Sequence, residues 1–208
     1  VTVPKRWVCD GLTWHSTGQL GTARRVLQWS LGAPELGGDE PVLVLEPSSA
    51  TMLRADLPQL LPGDPRAERL ARRVTTLAEL LDRVEYTAPP SRTDEVAAIA
   101  QPHCHQQAVL GLEADRRVCE RNGIRVGEEL TGCCGLAGNF GAEAGHEAVS
   151  QKVAELSLVP ALEADPDAPV LADGFSCRTQ IESLSGRRAR HLAEVLAERL
   201  PAEGDAPA

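Results

Sequence analysis

Aromatic residues are nearly missing from this chain: among 208 residues there are two Phe, one Tyr and three Trp, with a single Met. Its core must therefore be built from Leu, Val and Ala. Basic residues are also too few. Twenty-one Lys and Arg face thirty Asp and Glu, a net charge of −9, so nothing is available to neutralise a run of phosphates and no nucleic-acid partner is expected. RRARH (187–191) and ARR (71–73) gather arginines, but both read as solvated faces of helices with interleaved acids. No apolar run approaches the ~20 residues of a membrane helix, and no transmembrane segment is expected. VTVPKRW carries neither signal-peptide features nor a starting Met, so the chain reads as a piece of a longer one. The six cysteines, at 9, 104, 119, 133, 134 and 177, are too sparse for a secreted disulfide scaffold, and two of them are adjacent. They point to a cytoplasmic protein, soluble or peripheral on the inner face of the membrane, that keeps thiols for metal or redox work. A chain this long needs no disulfides to bury a core.

Short apolar runs mark buried parallel strands: PVLVLEP (41–47), EVAAIAQP (95–102) and PVLADGF (169–175), with weaker candidates at RWVC (6–9) and GIRVGEEL (123–130). Helical patterns lie between them. Over 66–84 the apolar residues from Ala67 to Val84 follow the 3.6-residue period behind an Asp64-Pro65 start. Further helices are expected over 106–121, closed by Asn122-Gly123, over 143–159, stopped by Pro160, and over 187–200, stopped by Pro201. Alternating strands and helices predict an α/β fold of two pseudo-repeated, Rossmann-like parallel-sheet units. YTAPPSRTDE (86–95) reads as a linker and PAEGDAPA (201–208) as a tail. The expected divisions are a degenerate first half over 1–88, a second half over 89–200, and the tail.

The halves share landmarks. CDGL (9–12) resembles CCGL (133–136), and LEPSSATM (45–52) resembles DGFSCRTQ (173–180). Asp10 stands where the second copy has Cys134, and Ser49 where it has Cys177. In the second copy, QPHCHQQ (101–107), TGCCG (131–135) and GFSCRT (174–179) each follow a predicted strand. In an open parallel sheet the loops beyond the carboxyl ends of the strands form the ligand crevice. Cys104, Cys133, Cys134 and Cys177 should therefore emerge at one edge as a soft-metal site, either an iron–sulfur cluster or zinc. Adjacent cysteines suit a multi-iron cluster better than the two-residue spacing preferred around one zinc ion. Gly135 and the glycines after it are expected to bring backbone N–H groups close to sulfur.

These motifs resemble the cysteine-rich CCG domain found in heterodisulfide reductase and in the iron–sulfur components of glycolate oxidase, anaerobic glycerol-3-phosphate dehydrogenase and lactate-utilisation proteins. HCHQQAVLG, CCGLAGNFG and LADGFSCRTQI are most similar to bacterial FAD-linked oxidases of D-2-hydroxy acids (D-lactate, glycolate and 2-hydroxyglutarate type) with a C-terminal CCG module. The resemblance implies tandem units relaying electrons from FAD to a quinone or carrier protein, with one [4Fe–4S]-type cluster on Cys104, Cys133, Cys134 and Cys177. FAD would sit on an oxidase domain, fused or separate, that this chain lacks, so the chain has no complete active site and no catalytic residues of its own. The chain departs from the family pattern in two ways. The first copy lacks ligands at Asp10 and Ser49, and the last family cysteine is Met52 in one copy and Gln180 in the other. No cluster is expected in the first half.

His103 and His105, flanking Cys104, are candidates for tuning a cluster by hydrogen bonding or for capping a helix. Cys9 and Cys119 read as inert small core residues, Glu143 and His146 as helix-start residues, and Asp173-Gly174 as a turn. His15 and His191 have no constellation around them. Two other functions compete: a structural zinc or degenerate docking domain without redox chemistry, and a thiol-nucleophile enzyme using His103 or His105 as base. The four grouped thiols fit the latter poorly.

Overall fold

A computed structural model describes residues 1–88 and 96–200. The expected linker, from residue 89 onward, and the expected tail lie outside the described residues. The chain divides into two compact units, Val1–Thr76 and Leu77–Ala208, and both are α/β.

The first unit holds α1 (Leu12–Ser16), α2 (Leu20–Ser30), α3 (Pro47–Thr51), α4 (Leu57–Leu60) and α5 (Pro65–Arg73), with β1 (Val42–Leu43) and β2 (Val74–Thr75). β1 and β2 pair in parallel, Val42 opposite Val74. The Asp64 side chain accepts the Arg66 N–H at 2.9 Å, and Pro65 occupies the first helical position of α5, as an N-cap and a pre-set φ require. Met52, Leu57, Leu27 and Ala23 are buried at the centre of this unit.

The second unit is built on four parallel strands, β3 (Val96–Ala100), β4 (Ile124–Glu129), β5 (Val170–Leu171) and β6 (Ala189–Arg190), in the order β4-β3-β5-β6. This is a doubly wound order whose direction reverses between β3 and β5. Helices cover both faces. On one, Ala154 of α8 (Glu147–Ala154), Leu158 and Leu162 of α9 (Leu158–Ala164) and Ile181 of α10 (Phe175–Ser185) pack with Ile99 and Val170. On the other, Ala78 of α6 (Leu77–Arg83), Val118 of α7 (Glu113–Arg121) and Leu192 and Val195 of α11 (Leu192–Ala197) pack with Ile124 and Leu171. Val170 and Leu171 thus feed opposite cores, as the two-residue strand period dictates.

Several expected elements are corrected. The single helix over 66–84 is α5, β2 and α6: the apolar period runs on through Val74, but the β-branched run Val74-Thr75-Thr76 extends and pairs with β1. The helix over 106–121 is a π-turn (Gln106–Leu110), a break at Gly111 with φ +83°, and α7. The helix over 143–159 ends at Ala154, and Pro160 lies in the first turn of α9, where it loses no hydrogen bond. RRARH is no helix face. Ala189 and Arg190 form β6, and His191 is the N-cap of α11, its side chain accepting the Ala193 N–H at 2.9 Å while Glu194 accepts the His191 N–H. RWVC forms no strand.

Asn122 closes α7 and is fully buried. Its Oδ1 accepts the Ala88 N–H at 2.6 Å, and its Nδ2 donates to the Val118 carbonyl at 2.7 Å. Asn122→Ala is expected to leave the Ala88 N–H without this partner and to lower unfolding free energy by about 1–3 kcal/mol, measurable by urea denaturation.

Candidate functional site

Cys104, Cys133, Cys134 and Cys177 follow three adjacent parallel strands and meet at the carboxyl edge of the second unit's sheet. Each loop is tied down by side chains that sequence reasoning passed over. After β3, Gln101 is buried and its Nε2 donates to the Pro102 carbonyl at 3.1 Å and the Gly132 carbonyl at 3.4 Å. Gln107 donates to the Leu130 carbonyl at 3.0 Å, and its Oε1 accepts the Gly132 N–H. These two glutamines clamp the loop of Cys104 to the loop of Cys133. After β5, Arg178 of α10 donates back to the Ala172 and Asp173 carbonyls at 3.1 and 2.5 Å, which fixes the helical turn bearing Cys177. A glutamine beside a cysteine loop and an arginine one residue after a cysteine were the only sequence signals for these clamps.

The sulfurs form a connected set. Cys133 interacts with Cys104 and with Cys134, and Cys134 also with Cys177. Cys134 and Cys177 are buried, Cys104 and Cys133 half-buried. The charge falls on Cys133: thiol donors Cys104 and Cys134, the Gly135 N–H at 3.3 Å and the field of His103 hold it down to about 2. Cys104 is pushed up, first by its hydrogen bond to Cys133 and then by burial. Cys134 is pushed up by its bonds to Cys133 and Cys177 and then by burial. Among the described residues, no group of three or more His, Cys, Asp or Glu side chains is arranged to hold a metal ion as it stands.

Two glycines are set by what packs on them. Gly135 has φ +96°, and a Cβ there would overlap the Ser150 carbonyl of α8; at Gly174 it would overlap the His103 ring and lie 3.2 Å from Cys177 Sγ. Close approach of α8 is therefore part of why a glycine follows the cysteine pair, alongside its N–H contact to sulfur. Gln180 is buried and donates to Ser150 Oγ at 3.0 Å. His103 is buried against Gly174, and its Nδ1 accepts the His105 N–H at 3.2 Å; it caps the turn that begins at Cys104. His105 is exposed, with its ring edge-on to His103 at 5.2 Å.

The first unit repeats this arrangement in oxygen. Cys9 Sγ accepts the Gly11 N–H at 3.4 Å, as Cys133 does from Gly135. Gly11 has φ +78°. Ser49, the third residue of α3, donates to Asp10, as Cys177, the third residue of α10, interacts with Cys134. Cys9 is further held by its N–H and carbonyl on Ser30 Oγ, at 2.9 and 2.8 Å.

On the opposite face of the second unit's sheet, a cavity of about 40 Å³ is lined by Gln106, Asp115, Cys119, Asp173 and Leu192 among others. Burial, then the charge of Asp173, raises Asp115 to about 7, against an opposing hydrogen bond from Gln106 at 2.9 Å. Burial and the same carboxylates hold the Cys119 thiol up near 12. Asp173 is more than a turn residue: its Oδ1 accepts the Leu192 N–H at 2.7 Å.

No family model matches the chain. It is similar to a small part of D-2-hydroxyglutarate dehydrogenases. Identity to the Pseudomonas putida protein is 28% over 158 residues, covering 75% of this chain and 15% of that protein. For the Escherichia coli protein it is 35% over 98 residues, 46% of this chain and 10% of that one, and for the Pantoea ananatis protein 28% over 160 residues, 76% and 15%. The chain thus spans no more than about 15% of the length of these relatives. No helix among the described residues is long and apolar enough to cross a membrane.

Gly135→Ala is expected to destabilise the second unit by more than the ~1–2 kcal/mol of a left-handed backbone alone, because α8 must also move; thermal unfolding reads this. Asp115 gives a pH signature. Its folded value, about 7, lies above the ordinary 3.8, so the folded chain binds this proton more tightly and loses stability as pH rises from about 4 to about 7. Asp115→Asn is expected to raise the melting temperature over the parent above pH 7, with the gain vanishing near pH 4.

Proposed function

We propose that this chain is the electron-relay portion of an FAD-linked D-2-hydroxy-acid dehydrogenase, passing electrons from the flavin to a quinone or carrier protein. The observation that carries this reading is the connected set of four thiols at the sheet edge. It gains support from the similarity to part of D-2-hydroxyglutarate dehydrogenases. FAD would reside on an oxidase domain, fused or separate.

The donor set suits an iron–sulfur cluster of the [4Fe–4S] type. Its four ligands are soft, come from three loops and include an adjacent pair, and each thiolate can serve a different iron. Cys104, Cys133, Cys134 and Cys177 would hold it, and bound there it would supply a one-electron centre of a kind no side chain in the chain provides. The remaining work belongs to the protein. The Gly135 N–H donates to Cys133 sulfur, which favours the thiolate form a metal requires. His103 places a buried ring beside Cys177 and excludes water from that side. Gln101, Gln107 and Arg178 keep the three loops in register, as supporting residues around metal ligands do. In the first unit, the Ser49–Asp10 hydrogen bond occupies the position of two ligands, so that unit acts as scaffold.

A structural zinc site on the same thiols is the competing assignment, and metal analysis separates them. After anaerobic purification, about four iron and four sulfide per chain are expected. Cys133→Ser should abolish both, while Cys9→Ser should keep both. Stoichiometric zinc without sulfide would replace the electron-relay reading with a structural one.

A further inference from the structure

Each loop that delivers a thiol to the sheet edge also exposes a large apolar side chain. Val109 follows Cys104 in the π-turn and is 50% exposed; Phe140 follows the cysteine pair at 37%; Phe175 opens α10, two residues before Cys177, at 68%. Val149, in the first turn of α8, which follows the loop of Phe140, is 50% exposed. The chain's only two phenylalanines are thus both spent on this edge, outside the cores. Phe140 stacks on His146 at 4.2 Å, which holds the ring in place while leaving part of it in solvent. Aromatic residues are enriched at the desolvated centres of protein interfaces, and apolar groups gathered at one rim mark a contact surface.

From this juxtaposition of thiols and exposed apolar residues we infer a docking face, and the geometry assigns it to the substrate-oxidising, flavin-bearing portion of the dehydrogenase. The inference rests on the electron-relay reading. The occupant follows from length and place. The chain accounts for only 15% of its Pseudomonas putida relative, so most of such a protein must lie elsewhere. The edge where electrons would enter is the one the three loops line with Val109, Phe140 and Phe175. A dry apolar contact there would also shield the half-buried Cys104 and Cys133 from solvent.

The test uses the intact dehydrogenase with p-benzoylphenylalanine in place of Phe175 or Phe140, and in place of Leu156, which is 82% exposed just beyond the C-terminal end of α8. After irradiation, mass spectrometry should find cross-links from positions 175 and 140 to peptides of the flavin-bearing portion, at least tenfold more abundant than from position 156. Cross-links to this same edge in a second copy, or equal yields from all three positions, would overturn the assignment. Iron and sulfide are measured on the same preparations. Cross-links without iron would uphold the docking face and sink the cluster. Iron with no cross-link from 175 or 140 would sink the docking face alone.

Discussion

β3 pairs in parallel with β4 on one side and β5 on the other, so the loops that follow all three strands must leave the sheet at the same edge. Parallel pairing points their carboxyl ends one way, and the reversal of strand order beside β3 opens a crevice between connections that depart to opposite faces. The four thiols need no long-range strain to meet, since each sits within a few residues of a strand end. Gln101, Gln107 and Arg178 then set the loops to hydrogen-bonding accuracy. Strand order brings the sulfurs together; backbone carbonyls accepting from these three side chains hold them there.

The two units hold corresponding edges with different side-chain chemistry. In the second, the free thiols of Cys134 and Cys177 interact; in the first, Ser49 donates to Asp10 at the same two places. The sulfur–glycine contact persists at Cys9 and Gly11. A half-buried hydroxyl–carboxylate bond satisfies both groups locally, so the scaffold needs no metal to keep this corner closed. It also explains why the repeat remained visible in sequence: Cys9, Gly11 and the small residues of α3 answer to backbone geometry.

The α/β class and the strands β1, β3, β4 and β5 were legible as short apolar or β-branched runs, although β1, expected to be buried, is not: Leu43 is exposed. β2 and β6 were not. Val74-Thr75 sits inside an unbroken helical period, and Ala189-Arg190 is a two-residue strand dressed in arginines whose long side chains reach the surface. The four cysteines could be placed at one edge from their positions after strands. Their supports could not: Gln101, Gln107, Ser150 and Gln180 matter through contacts that cross 23 to 31 residues of chain, and a glutamine has no period. The glycine after the cysteine pair showed a similar limit. Sequence reasoning gave it one role, at sulfur, and the structure adds a second, the packing of α8.

Whether electrons pass through this edge can be read by rapid-freeze EPR of the anaerobic dehydrogenase, mixed with a D-2-hydroxy acid in the absence of an acceptor. An iron–sulfur signal should develop on the time scale of substrate oxidation and be missing in Cys134→Ser, whose flavin should still be reduced. A flavin fully reduced by substrate, with no iron signal in the parent protein at any time, would rule out the relay.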